Sequence, residues 1–205
     1  IYKERRSMKN ILFSGNVKVF DGMLTCMLSI FKRTKSKEPY NFYIFTMDVS
    51  HIKPDYIPVS DKQVEFLQQI ARDYNPDNLV TKIDVTDIYM EEFDNCPNEN
   101  AYCSPYTLLR LFADKIPGIP DKLLYLDVDI LFNREPELLY DVDVEGYEYA
   151  AARDHYGKYL LNPNYINAGV LLFNMKEIRK TGLFEKARHL IKTKKLLFAD
   201  QDAVY

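Results

Sequence analysis

Short apolar runs alternate with longer amphipathic stretches along this chain, and the alternation predicts its elements. Asn10 to Ser14 (N-I-L-F-S) is an apolar run closed by Gly15, which predicts a first buried strand. Over Asp21 to Arg33, Leu24, Met27, Leu28 and Phe31 recur at i, i+3, i+4 and i+7, a helical stripe. Asn41 to Thr46 (N-F-Y-I-F-T) predicts a second strand. Ser60-Asp61-Lys62-Gln63 has capping-box form, and Val64, Leu67 and Ile70 continue from it as a helix. Leu79 to Ile83 reads as a third strand.

The second half is less regular. Ser104-Pro105 fits an N-cap followed by proline at the first helical position, opening a helix through Leu108, Leu109 and Phe112. Pro117-Gly118-Ile119-Pro120 breaks it. Lys122 to Leu126 is a short, very apolar strand, and Tyr147 to Ala152 and Ala168 to Phe173 are two more. Thr181 to Lys195 reads as a final long helix. The strand–helix order predicts an α/β fold: a doubly wound, mostly parallel sheet with flanking helices. Ligands of such sheets bind at the carboxyl ends of the strands. No internal repeat, low-complexity stretch or linker is visible, so residues 1–205 read as one domain.

Composition narrows the function classes. A chain of 205 residues can bury a substantial core, and its net charge of −3 implies no broad cationic face for nucleic acid. The run Lys192, Lys194 and Lys195 reads as the solvated end of a helix. Cys26, Cys96 and Cys103 are odd in number and lack a tight spacing, which argues against a disulfide framework or zinc knuckle and for a reducing compartment. No apolar run approaches the roughly 20 residues of a membrane span, and the N-terminus does not have signal-peptide form. A cytoplasmic location is the expectation.

The strongest chemical signal is Leu124-Tyr125-Leu126-Asp127-Val128-Asp129. An apolar strand runs directly into two aspartates spaced i, i+2, and continued extended geometry would place both on one face. Carboxylates held together repel each other, and a divalent cation shared with a ligand's phosphates removes that cost. Mn²⁺ or Mg²⁺ suits oxygen ligands. The tripeptide recurs as Asp141-Val142-Asp143, but in an acidic, loop-like setting that reads as solvated.

Several segments together resemble the family-8 glycosyltransferases, which include bacterial lipopolysaccharide galactosyltransferases and glycogenin. They are Ile11-Leu12-Phe13-Ser14-Gly15-Asn16, Leu28-Ser29-Ile30, Arg110-Leu111, Lys122 to Asp129, Tyr165 to Asn174, and Asp200-Gln201-Asp202. They occur in family order and span nearly the whole chain. A lone Asp-x-Asp is unspecific. The Y-x-N-A-G-V-x-L-x-N string and the Asp-Gln-Asp at these distances are what make the match specific.

The resemblance implies the GT-A fold, a UDP-hexose donor (galactose or glucose), Mn²⁺ or Mg²⁺, a glycan acceptor in the cell envelope, and retention at the anomeric carbon. By position, Asp127 and Asp129 would hold the metal, with Asp127 also near sugar or ribose. Asn16 falls where many relatives carry an aspartate that meets the uracil, and an amide can also pair with that base. Arg110 matches an arginine that reaches the donor's sugar and phosphates; taken alone, it reads as a helix-surface ion pair. Asn167, Ala168 and Gly169 match the segment lining the hexose. Asp154 matches an acidic residue near acceptor or hexose, whereas His155 reads as a surface histidine.

Asp200 would hold hexose hydroxyls, and Gln201 lies on the face where a nucleophile would be expected. An amide is a poor nucleophile, so front-face attack with electrostatic support from Gln201 is the expected route. Two departures stand out. The tyrosine common in the first loop is replaced around Lys18-Val19. Relatives also continue into a region with a histidine that completes the metal site, and none of His51, His155 and His189 matches it. We therefore expect the sequence to lack its C-terminal portion, acceptor-side cover and any peripheral membrane contact included. Two other readings stay open: a catalytically inactive UDP-sugar binding module, and a haloacid dehalogenase-type phosphotransferase. The second wants Thr or Val where Leu131 stands and its aspartates on the first strand.

Overall fold

The computed structural model describes residues 8–98, 104–196 and 199–204, without the side chains of 199–201. The six predicted strands all form: β1 (Lys9–Ser14), β2 (Tyr40–Thr46), β3 (Leu79–Asp84), β4 (Lys122–Leu126), β5 (Tyr149–Arg153) and β6 (Ile166–Asn174). They build one sheet in the order β3-β2-β1-β4-β6-β5. β1 pairs in parallel with β2 on one side and β4 on the other, and β2 pairs in parallel with β3. β6 runs antiparallel to both β4 and β5. The mostly parallel expectation therefore holds over β3-β2-β1-β4, and the β5–β6 pair departs from it. The link between β5 and β6 holds only one four-residue helix, and without a full crossover helix the two strands pair antiparallel.

β1, β2 and β4 are covered on both faces, while the edge strand β3 is only partly buried. Leu12 packs with Phe45, Tyr125 and Phe112 on one side. Its neighbours Ile11 and Phe13 pack with Met23, Met27 and Phe42 on the other. Two buried faces explain why β1 reads as continuously apolar rather than alternating. Helices α1 (Phe20–Arg33) and α2 (Asp61–Tyr74) cover one face. The other carries α3 (Thr86–Phe93), which the sequence pattern did not suggest, and a 3-10 helix over Pro105–Phe112.

Local chemistry sets the helix ends as expected in two places. The capping box before α2 forms, with Gln63 N donating to Ser60 Oγ (3.3 Å) and Ser60 N to Gln63 Oε1 (3.0 Å). Ser104 caps the 3-10 helix, its Oγ accepting from Tyr106 N at 3.4 Å. That helix is buried on nearly every side, so an amphipathic period could not have marked its geometry.

The final long helix is a correction. Following α4 (Glu137–Tyr140) and α5 (Gly157–Leu160), the predicted stretch forms α7 (Leu183–Thr193), but it is preceded by α6 (Met175–Thr181), which the sequence pattern did not suggest, and it is not the last helix. Gly182 separates them at φ 68°, the left-handed cap that glycine adopts without a Cβ clash. The basic end of α7 is exposed, as a solvated lysine run should be. A last short helix, α8 (Ala199–Val204), is tied back to the sheet. Tyr149 donates to Val204 O (2.8 Å), and the Tyr165 hydroxyl bonds Asp202. No described helix is long and apolar enough to cross a membrane.

Candidate active site

The strand order reverses at β1, so the loops leaving β1 and β4 diverge and open a crevice at their carboxyl ends. A cleft of about 400 Å³ lies there. Its walls come from the loop after β1 (Ser14, Gly15, Asn16), the start of the 3-10 helix (Tyr106, Thr107) and the end of β4 (Tyr125, Asp127, Asp129). Sequence reading thus placed Asn16, Asp127 and Asp129 in one site, and the fold brings them together.

The paired aspartates arrive differently from the expectation. β4 ends at Leu126 and the chain turns at once, with Ile130 N donating to Asp127 O at 3.4 Å. Both carboxylates face the cleft from a turn, not from a continued strand, Asp127 half-buried and Asp129 exposed. The turn is braced from behind by α1. A Cβ on Gly22 would lie 2.6 Å from Val128 O, so only glycine lets the helix approach this closely. Ser29 Oγ accepts from Phe132 N (3.0 Å) and fixes the outgoing chain, which gives that segment of the motif a structural task.

Asp127 is held on three sides. Its N–H donates to Gly169 O (2.8 Å), and Tyr125 Oη donates to its Oδ1 (2.7 Å). A Cβ on Gly169 would stand 2.7 Å from Oδ2, so the β6 backbone lies flush against the carboxylate. Arg110 lies beneath the cleft. It is 2% exposed, and its guanidinium stacks 4.0 Å from the centre of the Tyr125 ring. Nε donates to Thr107 O (2.9 Å) and Nη1 to Ala168 O. The surface ion-pair reading is therefore wrong for Arg110. The guanidinium joins the 3-10 helix to β6 and stacks on the tyrosine whose hydroxyl bonds Asp127.

Other residues named from the motifs fall around this centre. Asn16 is buried, its Oδ1 accepts from Lys18 N (3.0 Å), and its amide also meets the Tyr106 hydroxyl. It thus caps the turn after β1 while lining the cleft. Asn167 is exposed; its Oδ1 accepts from Gly169 N (3.0 Å) and its Nδ2 donates to Asp154 Oδ2 (3.4 Å). Asp154 Oδ1 in turn accepts from Gly157 N (2.6 Å) and Tyr156 N (3.0 Å). The Gly157 N–H above all lowers its carboxyl; burial opposes this, and the bonds from Asn167 and Tyr156 help keep it below the ordinary carboxylate value. His155 is exposed, and so is the second tripeptide, Asp141-Val142-Asp143. Asp200 and Gln201 lie on α8, but their side chains are outside the described residues.

The donor set suits a hard cation. Asp127 and Asp129 offer carboxylate oxygens, and among the described residues no group of three or more His, Cys, Asp and Glu that could hold a metal comes together, here or elsewhere. Burial first, then the Asp129 charge, push the buried Cys26 thiol up to about 12, so it supplies no soft thiolate. Cys103 lies outside the described residues. Sequence reasoning missed Tyr125 and Tyr106 as cleft residues. For Tyr125 the signal was present: it stands two residues before Asp127 on a strand and shares its face.

This fold is that of a known class. The chain belongs to glycosyl transferase family 8, whose model matches residues 10–205. The sheet with its flanking helices is the GT-A type, matching the galactosyltransferase LgtC. An active-site mutant of LgtC superposes with a TM-score of 0.75 at 20% identity, over 95% of this chain and 68% of that one. The bifunctional glycosyltransferase WbbM in its apo structure gives 0.74 at 19%, over 99% of this chain and 38% of that one. In sequence, a Haemophilus influenzae protein provisionally named a glycosyltransferase is 28% identical over 188 residues, 87% of this chain and 52% of its own length. Glycosyltransferase GlyA of Streptococcus pneumoniae is 27% identical over 185 residues, 90% of this chain and 23% of its own. The chain thus spans about half or less of these curated relatives. The haloacid dehalogenase alternative falls with the family assignment.

Proposed function

We propose that this chain carries the donor site of a metal-dependent, retaining glycosyltransferase that moves a hexose from a UDP-sugar to a glycan or glycoconjugate acceptor. The observation that carries the reading is the cleft at the β1/β4 switch point, where Asp127 and Asp129 face the Asn16 loop and Arg110 stacks on the cleft residue Tyr125. A structure of LgtC with donor and acceptor sugar analogs, which matches at a TM-score of 0.71, supports it by analogy of fold.

Asp127 and Asp129 would hold Mn²⁺ or Mg²⁺, and the bound cation supplies charge neutralisation for a diphosphate leaving group. Asn16 would meet the base, while Asn167, Ala168 and Gly169 line the hexose. Arg110 acts by holding Ala168 O, and with it the hexose segment, and by stacking on the tyrosine whose hydroxyl bonds Asp127. Asp154 orients Asn167 toward the same segment. Asp200 and Gln201 approach on α8, whose position Tyr149 and Tyr165 secure. Gln201 offers a dipole rather than a nucleophile, which favours front-face attack by the acceptor hydroxyl. The donor is galactose or glucose, and the acceptor a cell-envelope glycan reached from the cytoplasmic side.

Melting curves with UDP-galactose, UDP-glucose and UDP, each with and without Mn²⁺, test the reading. A ligand at 100 times its dissociation constant adds about 2.7 kcal/mol. The expected shift needs both metal and the aspartates, and disappears in an Asp127→Ala/Asp129→Ala variant. Hydrolysis of the UDP-sugar in the same samples separates an active transferase from an inactive binding module.

A further inference from the structure

We propose that Tyr125 is a positioning residue of this site: its hydroxyl orients the Asp127 carboxylate for the divalent cation while its ring seats the Arg110 guanidinium. The inference rests on the metal reading above and assigns a task to a side chain that reading leaves unused.

Tyr125 is 2% exposed and belongs to the core, where it meets Phe173 with ring centres 6.5 Å apart. A core role needs only the ring, so phenylalanine would fill it equally well. The hydroxyl has to be accounted for separately, because a buried phenol is stable only with a partner. Here its partner is the carboxylate at the cleft floor, Oη to Asp127 Oδ1 at 2.7 Å. That bond fixes one oxygen, while the Gly169 backbone limits the other. Together they leave the carboxylate little freedom to rotate.

The guanidinium adds to this arrangement. A cation 4.0 Å over the ring face withdraws electron density from the phenol and makes its O–H a better donor. One side chain thus couples the Arg110 charge to the orientation of Asp127. Hydrogen-bonding partners behind metal ligands act in this way generally, and their loss weakens metal binding about 10- to 100-fold.

The test is Tyr125→Phe, which keeps the ring and the stack and removes only the oxygen. Mn²⁺ is titrated into wild type and variant in saturating UDP, with free Mn²⁺ followed by its electron paramagnetic resonance signal. Melting of the metal-free proteins is recorded alongside. The expected result is Mn²⁺ binding weakened about tenfold, with the metal-free melting temperature close to wild type. Wild-type affinity in the variant overturns the inference and leaves the metal reading standing. A loss of affinity matched by a collapse of the metal-free melting temperature also overturns it, since that marks a folding residue. If the wild-type protein binds no Mn²⁺ with UDP, the metal reading fails first and this inference falls with it.

Discussion

The Arg110 guanidinium stacks 4.0 Å from the centre of the Tyr125 ring while one of its nitrogens binds the Ala168 carbonyl. Three elements meet at that stack: the 3-10 helix that carries Arg110, β4 beneath it, and β6 beside it. A cation 2% exposed is stable only when its donors are satisfied. Thr107 O and Ala168 O do part of this, and the aromatic face does more. The charge is therefore built into the floor of the cleft.

Lysine at position 110 keeps the charge and loses the planar fork and the stack, so it does not replace arginine here. Arg110→Lys is expected to lower unfolding free energy by about 2 kcal/mol, the scale of a buried bond to a charged group. Donor-induced stabilisation should fall with it. Urea unfolding with and without UDP-sugar and Mn²⁺ measures both. Wild-type stability in the variant would show that the stack contributes nothing.

Gly22 supplies a case where two rules disagree. Alanine for glycine inside a helix ordinarily stabilises by about 1 kcal/mol. In α1 the new Cβ would stand 2.6 Å from Val128 O, a backbone atom of the turn that presents Asp127 and Asp129. Backbone cannot swing aside as a flexible side chain can, so strain of about 1–3 kcal/mol outweighs the helical gain. Gly22→Ala is expected to be destabilised in urea and to lose the Mn²⁺-dependent shift with UDP. A stabilised variant would mean the turn has room to move.

Arg188 ties the scaffold together below the site. It is 4% exposed on α7 and donates to Asp114 Oδ1 (2.6 Å) and Oδ2 (3.0 Å), and to Leu111 O, just after Arg110. Removing one partner of such a buried pair strands the other charge, which costs about 3–5 kcal/mol. Arg188→Ala should lose that much in urea unfolding, and Asp114→Asn a comparable amount, since it leaves the buried guanidinium without its countercharge. Small losses in the two would show that the pair is open to water.

The legible parts of this molecule were those with a local cause. β1 and β4 announced themselves because strands buried on both faces are continuously apolar, and Ser60 and Gln63 because a capping box is written within four residues. The aspartate pair was legible as chemistry but not as geometry, since nothing local to Asp127 reveals that Gly22 of a distant helix presses against Val128. Arg110 was misread on its own for the same reason. An arginine on a helical segment is ordinarily exposed, and only the tertiary contact with Tyr125 and Ala168 buries it. The helix expected from Thr181 to Lys195 forms as α7, whereas α6, seven residues closed by Gly182, is too short to show an amphipathic period and went unread.

A cluster far from the cleft predicts how stability depends on pH at both ends. The Tyr40 hydroxyl bonds Glu137 Oε1 and Thr34 Oγ1, each at 3.0 Å, and Thr34 also bonds Glu137, so the end of α1 is pinned to α4. Burial works to raise the Glu137 carboxyl, but the bonds from Thr34 and Tyr40 outweigh it and hold the group below its ordinary 4.5. Its contribution is therefore present above 4.5 and is lost as pH falls through the lowered folded value. Burial, partly offset by Thr34 and reinforced by the Glu137 charge, raises the Tyr40 phenol above its ordinary 10.0. That contribution is complete below about pH 10 and is lost as pH rises toward the raised folded value, because the unfolded chain gives up its proton first. Unfolding free energy measured in urea from about pH 3 to 11 should show both limbs. Glu137→Gln should flatten the acid limb and Tyr40→Phe the alkaline one, each also reducing the other limb in part because the two groups bond each other. An alkaline limb unchanged in Tyr40→Phe would assign it to other buried tyrosines, such as Tyr106, which burial also raises.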